Sequence, residues 1–126
     1  MLHFDIEPRV GYLYVTLTGE LSLTGAQSAF SELLAAAARQ LQPKLLIDCS
    51  RLQGEWTPDD RYAFGAFLAA EVQRTAHQFP SFPRIAIYAV APLMDPNRYT
   101  QTVATNRGAQ VRASDSMQEL TSWLGV

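Results

Sequence analysis

Cysteine, lysine and histidine are scarce in this chain of 126 residues: it has one cysteine (Cys49), one lysine (Lys44) and two histidines (His3 and His77). A single cysteine excludes an internal disulfide, so the fold needs no oxidising compartment. Histidines that far apart, with no second cysteine, form no cluster with metal-ligand spacing, and no metal or cofactor is expected. Basic charge is thin as well. Ten Lys plus Arg stand against twelve Asp plus Glu, a net charge of -2. The arginines are dispersed, which leaves no counterion-release drive for nucleic acid. No stretch approaches the ~20 apolar residues that would cross a bilayer, so stable membrane insertion is not expected. The opening MLHFDIEPRV carries Asp5 and Glu7 and does not read as a secretory leader, which makes a cytoplasmic protein the expectation. Glycine motifs that cradle phosphate are absent, as is a nucleophile elbow.

What is present is enough for one globular domain over residues 1–126: hydrophobic residues make up 48% of the chain. Residues 2–6 read as a short strand, Pro8 to Gly11 as a turn, and YLYVTLT (12–18) as a period-two strand paired antiparallel with the first. Thr24 and Gln27 have capping-box spacing. Behind them Ala26, Ala29, Phe30, Leu33, Leu34, Ala37 and Leu41 form one helical stripe. KLLIDC (44–49) has no solvent face and reads as a central parallel strand. Thr57, Pro58 and Asp60 start a second helix, with Phe64, Phe67, Leu68, Val72, Ala76 and Phe79 inward. RIAIYAV (84–90) is another buried strand. Asp95 and Pro96 are expected to open a shorter helix that Gly108 ends. A strand over 109–112 and a helix capped by Ser114 or Ser116 follow, with Met117, Leu120 and Leu124 inward. The order β-β-α-β-α-β-α-β-α predicts an α/β fold with a mixed, mainly parallel sheet.

Chemistry-bearing residues are sparse. Asp59 and Asp60 are adjacent on a helix and point about 100° apart, so they serve the helix start and not a shared site. Cys49 reads as a small core residue, and His77 as a solvated one near a helix end. The segment DCSRLQGEWT (48–57) is the more informative one. It follows the carboxyl end of a central strand, where ligands of open α/β sheets bind, and runs into a helix N-terminus. Asp48, Ser50, Trp56 and Thr57 are therefore the candidate partner-binding residues. Trp56 is the expected anchor, because large aromatics dominate interface energies. The alternative is an apolar pocket between helix and sheet for a small apolar or acyl ligand, lined by Phe64, Phe67, Phe79, Ile85 and Ile87.

Four stretches carry a resemblance: YLYVTLTGELS (12–22), KLLIDCSRLQG (44–54), RIAIYAV (84–90) and SMQELTSWL (116–124). Together with the order of elements, they resemble the STAS-type domain (sulfate transporter and anti-sigma factor antagonist). Within it, the small stand-alone bacterial proteins related to CRAL-TRIO lipid carriers are the more similar branch. The resemblance spans nearly the whole chain. It implies an α/β sheet with helices packed on it, no catalysis, and a regulatory role exercised by binding a protein partner or a second copy of the chain. In the regulatory branch an Asp-Ser-Ser-Gly-like motif opens the helix after the central strand, and its serine is phosphorylated. Here that helix start reads Trp56-Thr57-Pro58-Asp59-Asp60. No serine is present, and a phosphate on Thr57 would meet Asp59 and Asp60. The resemblance therefore carries over the fold and not the phosphorylation site.

Overall fold

The computed structural model describes residues 2–126. Five strands form one sheet in the order β1-β2-β3-β4-β5. They are β1 (Leu2–Arg9), β2 (Tyr12–Glu20), β3 (Lys44–Gln53), β4 (Arg84–Tyr88) and β5 (Gln110–Ser114). The β1–β2 pair is antiparallel and the other three pairs are parallel. Four helices connect or follow them: α1 (Leu23–Arg39), α2 (Pro58–Thr75), α3 (Tyr99–Asn106) and α4 (Met117–Leu124). This is the mixed, mainly parallel α/β architecture expected from the alternation of patterns.

Alternation along the strands divides the side chains between two faces. Leu13, Val15, Leu17, Leu45, Ile47, Ile85 and Val111 join α1, α2 and Ala104 of α3 in the main core. Leu46 and Ala86 point the other way and meet Leu120 and Leu124 of α4. That helix is short and packs on β3, β4 and β5. On the same face His3, Asp5 and Glu7 of β1 are exposed, and Tyr12, Tyr14, Thr16 and Thr18 of β2 are half-buried.

Several boundaries differ from the sequence reading, each for a local reason. β1 runs on through Pro8 and Arg9, which pair with Leu13 and Tyr12, so the hairpin turn is only Val10-Gly11, with Gly11 at φ 85. Pro8 costs nothing there, because β1 is an edge strand. The N-cap of α1 is Ser22 and not Thr24: the Ser22 hydroxyl accepts from the Gly25 amide at 3.1 Å. Leu41 is not in the buried stripe. It follows the C-cap at φ 54 and is 65% exposed, its place taken by Ala38. β4 stops at Tyr88, and β5 covers 110–114 in place of 109–112. α3 begins at Tyr99, four residues after Asp95, because Arg98 lies in the left-handed region at φ 50. Asp95 still receives the Tyr99 amide, at 3.0 Å, and the Asn97 amide, also at 3.0 Å.

The largest difference concerns β3. It does not end at Cys49 but continues to Gln53, beside β2. Thr16 faces Asp48 while Thr18 faces Arg51, so the register slips by one residue at Cys49–Ser50. A β-bulge of this kind bends the strand and re-aims side chains. Most of the expected loop after the central strand is thus strand, and only Gly54–Thr57 connects it to α2.

Candidate functional site

Asp48 and Trp56 lie on opposite faces of the sheet. Asp48 lies on the α4 face. Its Oδ2 accepts from the Tyr14 hydroxyl at 2.5 Å, and its Oδ1 from the Ser50 amide at 2.9 Å and the Ser50 hydroxyl at 2.6 Å. Burial alone would raise its pKa. The Ser50 hydroxyl, the Tyr14 hydroxyl and the Ser50 amide outweigh that and hold the carboxyl below the usual carboxylate range. Burial and the bond to Asp48 push the Tyr14 hydroxyl up to about 12. The Arg9 guanidinium sits 4.0 Å from the centre of the Tyr14 ring. The result is a paired cluster that ties β2 to the bulge of β3. It opens into a shallow polar concavity edged by Asp5, Glu7, Arg9, Thr16 and Arg51.

Trp56 lies on the other face, at the carboxyl end of the parallel strands. Thr57 beside it caps α2: its hydroxyl accepts from the Asp60 amide at 3.1 Å, and Asp60 returns a bond to the Thr57 amide. That capping box fixes where the chain enters the helix and holds Trp56 over its first two turns. The Trp56 ring is 4.9 Å from that of Phe64, which meets Phe30 edge-on at 6.1 Å. These rings wall an apolar cavity of about 80 Å³ that opens to the surface. Leu52, Cys49 and Ile47 of β3 form its floor, with Leu2, Leu17 and Leu21 at one side and Leu93 and Met94 over the other. Arg61 and Tyr99 stand at its polar margin.

Side chains hold the segment that carries Leu93 and Met94 in place. Arg61 donates to the Leu93 carbonyl at 2.9 Å, and Arg98 reaches across to Glu119 of α4 at 3.1 Å. Glu119 also accepts from Ser114 at 2.9 Å and Arg112 at 3.4 Å. Of the two serines expected to cap α4 it is Ser116 that does so, its hydroxyl accepting from the Glu119 amide. Gly65 of α2 lets α3 approach: a Cβ there would stand 2.9 Å from the Thr100 carbonyl oxygen.

Of the four residues expected at one sheet-end site, the structure brings Asp48 and Ser50 together and separates them from Trp56 and Thr57. Of the expected pocket residues, Phe64 and Ile87 line the cavity. Phe79 and Ile85 are buried in the core and Phe67 is partly buried against it, none of the three in the wall. The sequence reading missed Leu52, Leu93 and Met94, which lie in no periodic pattern, and Arg61. Its one legible signal was the position just after a capped helix start. Cys49 is in the wall, but burial and the Asp48 charge push its thiol up to about 12, so it stays protonated at neutral pH. Among the described residues no three His, Cys, Asp or Glu side chains gather as a metal site, and no helix is long and apolar enough to cross a membrane.

No family model and no curated protein matches the chain. Solved structures do. An anti-sigma factor antagonist from Mycobacterium paratuberculosis superposes with a TM-score of 0.61 at 13% identity, over 100% of this chain and 96% of that one. An uncharacterised protein of the DUF3478 family with a SpoIIAA-like fold, from Shewanella loihica PV-4, superposes with a TM-score of 0.54 at 19% identity, over 98% and 93%. At those identities the likeness is one of fold, and the chain has a STAS-like, SpoIIAA-like fold.

Proposed function

We propose that this chain is a non-catalytic regulatory module that docks a protein partner on the rim at the carboxyl end of its parallel strands. The observation that carries this reading is the make-up of the rim. Half-buried Trp56, Leu93 and Met94 lie with exposed Val90 and Tyr99 beside the exposed acids Glu55 and Asp59. Neither acid forms an ion pair among the described residues. An apolar anchor flanked by unpaired charge is how protein interfaces are built. The partner it fits presents an apolar side chain next to basic groups.

The fold supports the reading, since a full-length structural neighbour is named as an antagonist of an anti-sigma factor. So does the state of the reactive groups, with the Cys49 thiol protonated and the Asp48 oxygens engaged by Tyr14 and Ser50. Reversing charge at the rim, with Glu55→Lys and Asp59→Lys together, is expected to weaken partner binding at least tenfold in an affinity measurement, whereas Asp5→Lys leaves it unchanged. Equal affinities for the two variants would reject the rim as the docking site.

A further inference from the structure

The sheet ends in β1 on one side and β5 on the other, and the fold closes only one of these edges. At β5, α3 packs alongside, and the Gln101 side chain accepts from the outward Ala113 amide at 2.7 Å. Among the described residues nothing but β2 hydrogen-bonds to the backbone of β1.

Pairing with β2 decides which groups of β1 face outward. The hairpin loop is Val10-Gly11, so Arg9 and Tyr12 are its closing hydrogen-bonded pair. Bonded and non-bonded positions alternate from there, and Leu2, Phe4, Ile6 and Pro8 turn their backbone away from β2. Pro8 has no N–H to offer and ends the open stretch. The side chains of Leu2, Phe4 and Ile6 are only half-buried against the main core, so apolar surface flanks the open backbone. On the other face of the strand His3 and Asp5 are exposed, and neither forms an ion pair among the described residues, whereas Glu7 is paired with Arg9.

An apolar edge left open in this way is a template for another strand. The strand that fits it is its own copy. An antiparallel pair about a twofold axis must set outward positions against outward positions. With the axis at Phe4, the two Phe4 residues meet and Leu2 meets Ile6. His3 then lies opposite Asp5 on both sides of the axis, at the non-bonded positions where side chains come closest. A carboxylate there accepts from the imidazole N–H whether the ring is neutral or charged. The neighbouring registers are worse. An axis at Asp5 sets Asp5 against Asp5, and one at His3 sets His3 against His3. An axis at Ile6 sets Asp5 against Glu7 and Phe4 against Pro8, which lacks a donor.

We propose that two copies of this chain pair antiparallel through β1 with the twofold axis at Phe4, joining their sheets into one continuous sheet. The proposal does not depend on the reading of the rim as a docking site.

Two single variants of the full chain, His3→Cys and Asp5→Cys, test the register in a glutathione redox buffer. The native Cys49 does not interfere, since its thiol stays protonated at neutral pH. Opposite non-bonded positions lie about 4.5 Å apart between Cα atoms, within disulfide reach. The two variants mixed are expected to give a disulfide-linked dimer. Either alone is expected to give none, because like positions then lie two residues out of register. The native chain is expected to sediment as a dimer at submillimolar concentration. Asp5→Lys sets a lysine opposite His3 and should weaken that dimer about tenfold or more, while His3→Asp combined with Asp5→Lys restores it to within about threefold. A native chain that stays monomeric would overturn the proposal. So would a mixture without the disulfide, a linked dimer from Asp5→Cys alone, or a double variant that associates no more tightly than Asp5→Lys.

Discussion

Asp48 and Trp56 stand eight residues apart on one stretch of chain and end in opposite situations. Both carry polar atoms out of bulk solvent. Both carboxylate oxygens of Asp48 are met, by Tyr14 and Ser50. The single donor of Trp56 is not. A polar group whose partners are all supplied by its own fold has a sufficient structural reason to be there. One that lacks a partner is a cost the fold does not recover by itself. The first region holds the sheet together at its bulge. The second lies beside an open apolar cavity at the carboxyl end of the parallel strands, which is where we place binding.

The contrast can be broken most forcefully at Asp48. Asp48→Ala strands the Tyr14 hydroxyl and the Ser50 amide at a half-buried site. It is expected to cost about 3 kcal/mol in urea unfolding, near the upper end for lost charge-assisted hydrogen bonds. Binding at the rim by the folded fraction should not change. A loss under about 1 kcal/mol, the scale of one ordinary hydrogen bond, would show that the cluster is not structural.

Tyr14→Phe removes one of the three bonds to Asp48 and should cost about 1.5 kcal/mol. It also carries a pH signature. The Tyr14 pKa is raised in the fold, so its contribution is fully present below the unfolded value of about 10 and is lost as pH rises towards about 12. The Asp48 pKa is lowered, so its contribution is present above about 4 and fades as pH falls below that. Stability measured between pH 7 and pH 12 should fall less steeply in Tyr14→Phe than in the native chain. Identical slopes would contradict the assignment.

The smallest effect sharpens the comparison most. Trp56→Phe deletes a donor that has no partner but also part of a half-buried ring packed on Phe64, so unfolding stability should fall by no more than about 1 kcal/mol. A loss of about 3 kcal/mol or more, beyond what the smaller ring accounts for, would mean that the indole N–H is already satisfied within the fold.

Much of this was legible before any coordinates, and the divisions have physical causes. Period-two and helical patterns place β2, α1 and α2 because each buries one face. The helix start at Thr57-Pro58 is written in residue types with a single good local geometry, and it formed as read. The N-cap of α1 was misplaced because Ser22 and Thr24 both offer a hydroxyl, and only the path of the chain chooses between them. The bulge at Cys49–Ser50 left no pattern: Ser50, Arg51 and Gln53 look like loop residues, and only pairing with β2 makes them strand. That one misreading joined Asp48 and Trp56 into a single expected site. The cavity wall was partly hidden because Leu93 and Met94 sit in an irregular segment, held by Arg61 and Arg98 over distances in sequence that no local pattern reveals.

The central claim is that function resides at the Trp56 end and structure on the Asp48 face. Its most direct test is a pair of photocrosslinking residues, one at Glu55 and one at Asp5, each introduced into the full chain in the cells that produce it. The account predicts a discrete partner crosslinked from Glu55 and none from Asp5 other than a second copy of the chain. Crosslinking of another protein from Asp5 with none from Glu55 would contradict it.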